Sequence, residues 1–310
     1  MSGLFHRRPR RGEGAPQTVP GASGSDANAH PLSNDWRTYE SIAETYERVH
    51  APRTAIVGRD LVTAAGVHAG QRVLDVGTGT GVVADAARES VGDGVVVGVD
   101  ASPAMLAVGH RERPSVNLAA AVALDLPFRD ATFDVVTAGF VLSHFQKPDT
   151  ALFDMIRVLK PNGRLAVTAW GETEDEFQRT WRELIEQVAP HEMLQDALER
   201  AMPGEERFRD PRRLEGALRD AGLRPVTVEK REYRFTIRLD DYVDGRTTAA
   251  SGRFVRDMLG DPAWGSFVER ARATFHERFP DPLVDFRDVL IAVATKPADY
   301  SAPNAQGRPG

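Results

Sequence analysis

The chain of 310 residues has no cysteine. This excludes disulfide scaffolds, thiolate zinc sites, thiol nucleophiles and cysteine redox chemistry, and leaves only histidine and carboxylates as metal ligands. Long apolar runs are missing too. The longest, residues 135–142 and 289–294, fall well short of the roughly 18 consecutive apolar residues of a membrane-spanning helix. The chain is therefore expected to be soluble, and the lack of cysteine fits a cytoplasmic location. The Gly-Lys-Ser/Thr signature of a phosphate-binding P-loop is also absent.

What is present is ordinary globular composition, 41% hydrophobic and 27% charged, with a net charge of −6. Such a length accommodates one large domain or two modest ones. The charge is uneven: in residues 1–33, Arg7, Arg8, Arg10 and Arg11 face only Glu13 and Asp26, so the rest of the chain is more acidic than the total implies. That acidic body argues against a groove for a nucleic-acid backbone. Residues 1–33 are rich in glycine and proline and poor in large apolar side chains, and are expected to form a disordered tail. Their arginine pairs are not followed by the apolar stretch of an export signal. A solvated tail is the plain expectation, with weak nucleic-acid or membrane-surface contact as the alternatives. Residues 297–310 read as a second loose tail.

Between the tails, from 34 to 296, strand and helix patterns alternate. Short Val-rich runs at 72–76, 95–100, 116–121, 133–138 and 164–169 are apolar at successive positions, as in strands buried on both faces of a parallel sheet. Helical patterns at 53–65, 82–91, 103–111 and 150–159 separate them, which implies right-handed crossovers and an α/β doubly wound sheet. Two further strands are expected at 225–236 and 289–295, in an order that periodicity does not fix. Segments 171–210 and 238–284 fall outside this alternation and look largely helical. They are candidate cap insertions over the carboxyl ends of the strands, or else they thicken the core.

The chemistry-bearing feature is the first strand and its turn, Asp75-Val76-Gly77-Thr78-Gly79-Thr80-Gly81. Glycines at alternate positions permit a sharp turn and let a ligand approach the main chain. A dinucleotide fingerprint would place its third glycine at Val82, so the loop suits a nucleoside ligand without a diphosphate cradle. Asp75, at the end of the strand, would be satisfied by a cationic amino group. Asp100 ends the second strand, where an acidic side chain accepts from both hydroxyls of a ribose. Taken singly, each carboxylate reads equally well as a surface or capping group. In this register they describe S-adenosylmethionine rather than NAD.

Three further stretches carry a family resemblance: Gly98-Val99-Asp100-Ala101-Ser102-Pro103-Ala104-Met105-Leu106; Leu126-Pro127-Phe128 followed by Thr132-Phe133-Asp134-Val135-Val136; and Arg157-Val158-Leu159-Lys160-Pro161-Asn162-Gly163-Arg164-Leu165. With the glycine turn and the upstream segment Tyr39 to Tyr46, the sequence resembles the class I S-adenosylmethionine-dependent methyltransferases. It is most similar to their ubiquinone/menaquinone biosynthesis branch, over residues 36–170. The resemblance implies a Rossmann-like, mostly parallel, doubly wound sheet of seven strands with helical cap insertions, and S-adenosyl-L-methionine as cofactor. It implies that Asp75, Gly77, Thr78, Gly79 and Gly81 surround the methionine half, that Asp100 holds the ribose, that Ala101 and Met105 flank the adenine, and that Tyr46 lies near the cofactor carboxylate. The family's adenine-binding Asp is replaced here by Val122, which shifts that contact to the backbone of Ala123 and Leu124, with Asp125 as a substitute only if the loop shifts.

The implied activity is methyl transfer to oxygen or carbon of an apolar small molecule, quinone-like or another secondary metabolite. The alternatives are a cyclisation or other non-transfer step that uses the cofactor structurally, and a non-enzymatic binding module. His144, just after the fourth strand, is the candidate base, against the plainer reading of a structural histidine; the other histidines show no metal-ligand spacing. Trp36, Phe140, Phe145, Trp170, Trp181, Phe254 and Trp264 read either as core or as an apolar substrate wall. A small-molecule substrate is expected, with no nucleic acid or membrane span, in a monomer or homodimer.

Overall fold

The computed structural model of the chain describes residues 39–302. The expected tail 1–33, Trp36 and residues 303–310 lie outside the described residues. Seven strands form one sheet in the order β3-β2-β1-β4-β5-β7-β6. The central strands β1 (Arg72–Val76), β2 (Val95–Asp100), β3 (Asn117–Ala120), β4 (Phe133–Gly139) and β5 (Leu159–Trp170) are parallel. Val73, Leu74, Val96, Val135, Val136 and Val167 are almost completely buried, the consequence of helices covering both faces. β7 (Leu283–Thr295) runs antiparallel between β5 and β6 (Val226–Ile237).

The helices begin with α1 (Ala43–Val49) and α2 (Ala51–Ala64), which precede β1. α3 (Val82–Val91), α4 (Pro103–Glu112) and α5 (Pro148–Val158) are crossovers. α4 starts where Ser102 accepts from the Met105 amide and Pro103 occupies the first turn. The chain turns to opposite sides of the sheet after β1 and after β4. The crevice between the carboxyl ends of these neighbouring strands is where an open α/β sheet binds its ligand.

The segment expected as a first cap holds α6 (Glu176–Glu186), α7 (His191–Ala201) and α8 (Glu205–Phe208). α9 (Pro211–Asp220) then leads into β6. The second holds α10 (Leu239–Thr248), α11 (Ala250–Leu259) and α12 (Asp261–Arg278). α6, α7, α10, α11 and α12 share one apolar cluster with Val49 and the outer ends of β6 and β7, built on Trp181, Tyr242, Trp264, Phe267 and Phe275, whereas Phe208 of α8 and Leu214 and Leu218 of α9 pack into the main core. Trp181 is 0% exposed, and Phe254 packs against the cap cluster. Trp181 and Trp264 therefore fill the interior of the cap, with Phe254 partly buried at its edge. Phe140 and Trp170 stack at a centroid distance of 4.1 Å at the carboxyl ends of β4 and β5.

Three boundaries differ from the sequence reading by more than two residues, the first being β5, which begins at Leu159 and not at the expected 164. β7 begins at Leu283, before the expected 289, because its charged residues are paired and covered by the cap, as described below. Ordered packing continues past 297: the Tyr300 hydroxyl donates to Ala221 O at 3.1 Å, and the ring packs against the main core. An aromatic anchor holds the expected loose tail to the body at least this far. No helix among the described residues is long and apolar enough to cross a membrane.

Candidate active site

The turn after β1 is built on glycine for a physical reason. Gly77, Gly79 and Gly81 have φ of 68°, 56° and 93°, values that other residues adopt only at a cost of about 1–2 kcal/mol. A Cβ on Gly77 would also overlap the Val141 Cγ2 methyl. At Gly79 the Cβ position is open except for the Tyr46 ring, whose Cε1 would lie 3.9 Å away. Tyr46 thus sits over the loop.

Both predicted carboxylates hold this loop. Asp75 is 1% exposed; it accepts from the Thr78 hydroxyl at 2.6 Å and the Thr137 hydroxyl at 2.8 Å. Burial nonetheless pushes its carboxyl up to about 6, against those two hydrogen bonds. Asp100 accepts from the Gly79 amide at 2.8 Å and the Ser102 amide at 2.9 Å, one on each oxygen. Each of its oxygens keeps a further lone pair. Burial raises its carboxyl, while the amides of Ser102, Gly79 and Ala101 oppose that shift.

Met105 is 2% exposed and packs with Ala43 and Val108 against Tyr39, Ile42 and Tyr46, joining α4 to α1. Sequence reasoning missed the polar latches of this lid. Glu40 accepts from the Ser102 hydroxyl at 2.8 Å. Glu47 forms a two-point ion pair with Arg113, at 2.9 and 3.0 Å, and Arg113 Nη1 also donates to Thr80 O at 3.1 Å. Helix α1, which carries Tyr46, is thereby tied to the glycine turn itself. The sequence signal was slight: single acidic residues in a segment read only for its aromatics.

Ala123 and Leu124 lie in the loop after β3, partly buried against the main core. The loop is fixed from α5, where Asp154 accepts from the Leu126 amide and Arg157 donates to Leu126 O and Phe128 O. Asp125 is exposed. His144 ends a 3-10 turn, Leu142–His144, after β4. Its Nε2 is 3.5 Å from the Tyr39 hydroxyl, and the two rings meet edge to face at 5.8 Å. The predicted residues from the glycine turn, β2, the β3 loop and the end of β4 therefore stand at the carboxyl ends of neighbouring strands, with α1 tied to the turn beside them. No group of histidines and carboxylates among the described residues is arranged to hold a metal ion.

A family model described as "Methyltransferase domain" matches residues 74–167. The demethylmenaquinone methyltransferase of Shouchella clausii is 32% identical over 190 residues, covering 55% of this chain and 78% of that protein. The chain belongs to the class I S-adenosylmethionine-dependent methyltransferases. Within them it falls in the ubiquinone/menaquinone branch: the demethylmenaquinone methyltransferase of Renibacterium salmoninarum is 40% identical over 133 residues, 43% of this chain and 55% of that protein. The chain spans about half the length of the curated relatives it matches first.

Solved structures agree at the level of fold. The [4+2]-cyclase SpnF superposes with a TM-score of 0.52 and 22% identity, covering 87% of this chain and 98% of that one. A phosphoethanolamine N-methyltransferase of Haemonchus contortus bound to S-adenosylhomocysteine gives 0.51 and 21%, covering 86% and 62%. The crevice of this methyltransferase-family chain fits such a nucleoside: bare Cα atoms at Gly77 and Gly79, free lone pairs on Asp100, and a buried anionic group at Asp75 behind the turn.

Proposed function

We propose that the chain transfers a methyl group from S-adenosylmethionine to oxygen or carbon of a quinone-like small molecule. The observation that carries this reading is the convergence of the positive-φ glycine turn, Asp100 and the latched Tyr46 at the switch point of the sheet. The names of the relatives, demethylmenaquinone methyltransferases, supply the acceptor class. When bound, the cofactor supplies an already activated sulfonium methyl.

The chain's own residues then bind, orient and exclude water. In this reading the free lone pairs of Asp100 accept from the ribose hydroxyls. The backbone of Gly77, Thr78, Gly79 and Gly81 lies against the methionine half, with Tyr46 above it. Asp75 stands one layer back, 1% exposed behind the turn, and acts on the amino group through its charge and through Thr78, whose hydroxyl donates to it. Ala101, Met105, Ala123 and Leu124 flank the adenine. Closure by α1 and the cap keeps water out, and positioning accounts for most of the acceleration. His144 takes the proton of a hydroxyl acceptor. We further place the chain in the cytoplasm, as a monomer or homodimer that does not engage nucleic acid.

Three measurements follow. Incubation with S-adenosylmethionine and 1,4-naphthohydroquinone should give a product heavier by one methyl group. An isomerised acceptor with unconsumed cofactor, or no reaction with any hydroquinone tried, contradicts the reading. Asp100→Ala should weaken S-adenosylhomocysteine binding by about 10- to 100-fold in calorimetry, since hydrogen bonds to a charged group contribute about 1.5–3 kcal/mol. An unchanged affinity removes the ribose assignment.

A bound cationic amino group favours the ionised form of Asp75. Lowering the pH through about 6, where this carboxyl takes up its proton, should therefore weaken cofactor binding, by at most about tenfold between pH 7 and 5. Calorimetry at pH 7, 6 and 5 reads this directly. A flat profile in wild type, or the same slope in Asp75→Asn, excludes the contribution.

A further inference from the structure

A second cluster of charge lies between the sheet and the cap. Asp285 of β7 is 0% exposed; it accepts from Arg53 Nη1 at 2.7 Å and from Arg287 Nε at 3.1 and 3.2 Å. Arg53 Nη2 is 2.9 Å from His50 Nδ1, and His50 Nε2 is 3.1 Å from the Thr248 hydroxyl. The His50 ring is 5.2 Å from that of Tyr46, which places the cluster next to the lid over the glycine turn. It also lies past the carboxyl edge of the sheet, because β7 residues before Val289 extend beyond Trp170, the last residue of β5.

Arg246, one helical turn after Tyr242 on α10, stands out in this group. Its guanidinium carbon is 6.0 Å from the centroid of the Trp181 ring. No carboxylate among the described residues pairs with it, and its Nε is buried with no hydrogen-bond partner. The Tyr242 hydroxyl, on a residue 2% exposed, is equally unpartnered. The guanidinium groups of Arg53, Arg246 and Arg287 outnumber the carboxylates of Asp285 and Asp175. Asp175 is already used as the cap of α6, accepting from the Gln178 amide at 2.7 Å. Burial, with Arg53, Arg246 and Arg287 adding to it, pushes His50 down to about 3, so the imidazole is neutral and adds no charge. A surplus, partly buried cation with an unsatisfied buried donor is costly unless an anion comes to it, and a planar guanidinium suits a carboxylate or phosphate.

Building on the methyltransferase reading, we propose that Arg246 and Tyr242, backed by Arg53 and Arg287, form an anion-binding subsite for the methyl acceptor. The acceptor then carries an anionic group, carboxylate or phosphate, beside its ring. This narrows the quinone-like class to acidic members, and it gives the cap a role in choosing the substrate.

The test is calorimetry on the full chain, with and without saturating S-adenosylhomocysteine, using 1-naphthol, 1-hydroxy-2-naphthoate and 1-naphthyl phosphate as probes. At least one of the two anions should bind at least tenfold more tightly than 1-naphthol, and the tighter one identifies the group. That preference should vanish in Arg246→Met, persist in part in Arg246→Lys, and fall about threefold or more in Tyr242→Phe, which removes only the hydroxyl. Equal affinity for all three probes, no binding of either anion, or a preference intact in Arg246→Met overturns the proposal. S-adenosylhomocysteine binding read in the same samples keeps the two readings apart. Its loss in wild type counts against the methyltransferase reading, whereas its retention in Arg246→Met shows that the variant is folded.

Discussion

Asp285→Ala should lower the stability of the chain by roughly 3–5 kcal/mol, the range for removing one partner of a buried ion pair. The carboxylate is wholly buried, and its two partners, Arg53 and Arg287, have side chains only 15% and 14% exposed. Without Asp285 both guanidinium groups stay in the interior with their nearest counter-charge gone. For a domain of this size the loss corresponds to a fall in melting temperature of roughly 10 °C. The pH dependence follows from the direction of the Asp285 shift. Burial alone would raise this carboxyl, but Arg287 and Arg53 overcome burial and hold it below its ordinary value. Its contribution is therefore fully present at neutral pH and is lost as the pH falls below about 4, through the folded-state value. Thermal unfolding of wild type and variant should accordingly differ most near pH 7 and converge in acid. A difference of less than about 1 kcal/mol at pH 7 contradicts the account of the cluster.

With a hydroxyl acceptor, His144→Gln should slow turnover by about 100- to 10,000-fold, the usual range for a positioned acid or base, while cofactor affinity changes by less than about threefold. His144 ends the turn that follows β4 at the carboxyl edge of the sheet, beside the crevice where the cofactor's reactive end would lie. Its contact with the Tyr39 hydroxyl ties it to the same segment as the lid. Single-turnover rates together with calorimetry separate the chemical step from binding. A rate within twofold of wild type removes His144 from proton transfer.

The parallel half of the sheet was legible because its strands are short apolar runs broken by glycine and by amphipathic helices. β1 and β2 have the bounds that their Val-rich runs indicate. The start of β7 was hidden because Asp285, Arg287 and Asp288 make it read as a loop. Only the fold brings Arg53, from more than 200 positions away, to pair with Asp285. The glycine turn and Asp100 were legible because their spacing is local, fixed by one strand, one turn and the next strand. The latches Glu40, Glu47 and Arg113 and the Arg246 cluster were not, since each joins elements far apart in sequence and no periodicity records such a pairing. The cap aromatics left two readings open: a pocket wall and a small separate core have the same composition, and only burial distinguishes them.

The central claim is that the glycine turn, Asp100 and the Tyr46 lid hold S-adenosylmethionine. It is tested most directly by calorimetric titration of the full chain with S-adenosylhomocysteine at pH 7.5. One saturable site per chain is expected, with binding in the micromolar range and lost on Gly77→Val, where a side chain would collide with Val141. No detectable binding by the wild-type chain, or the same binding by Gly77→Val, would contradict it.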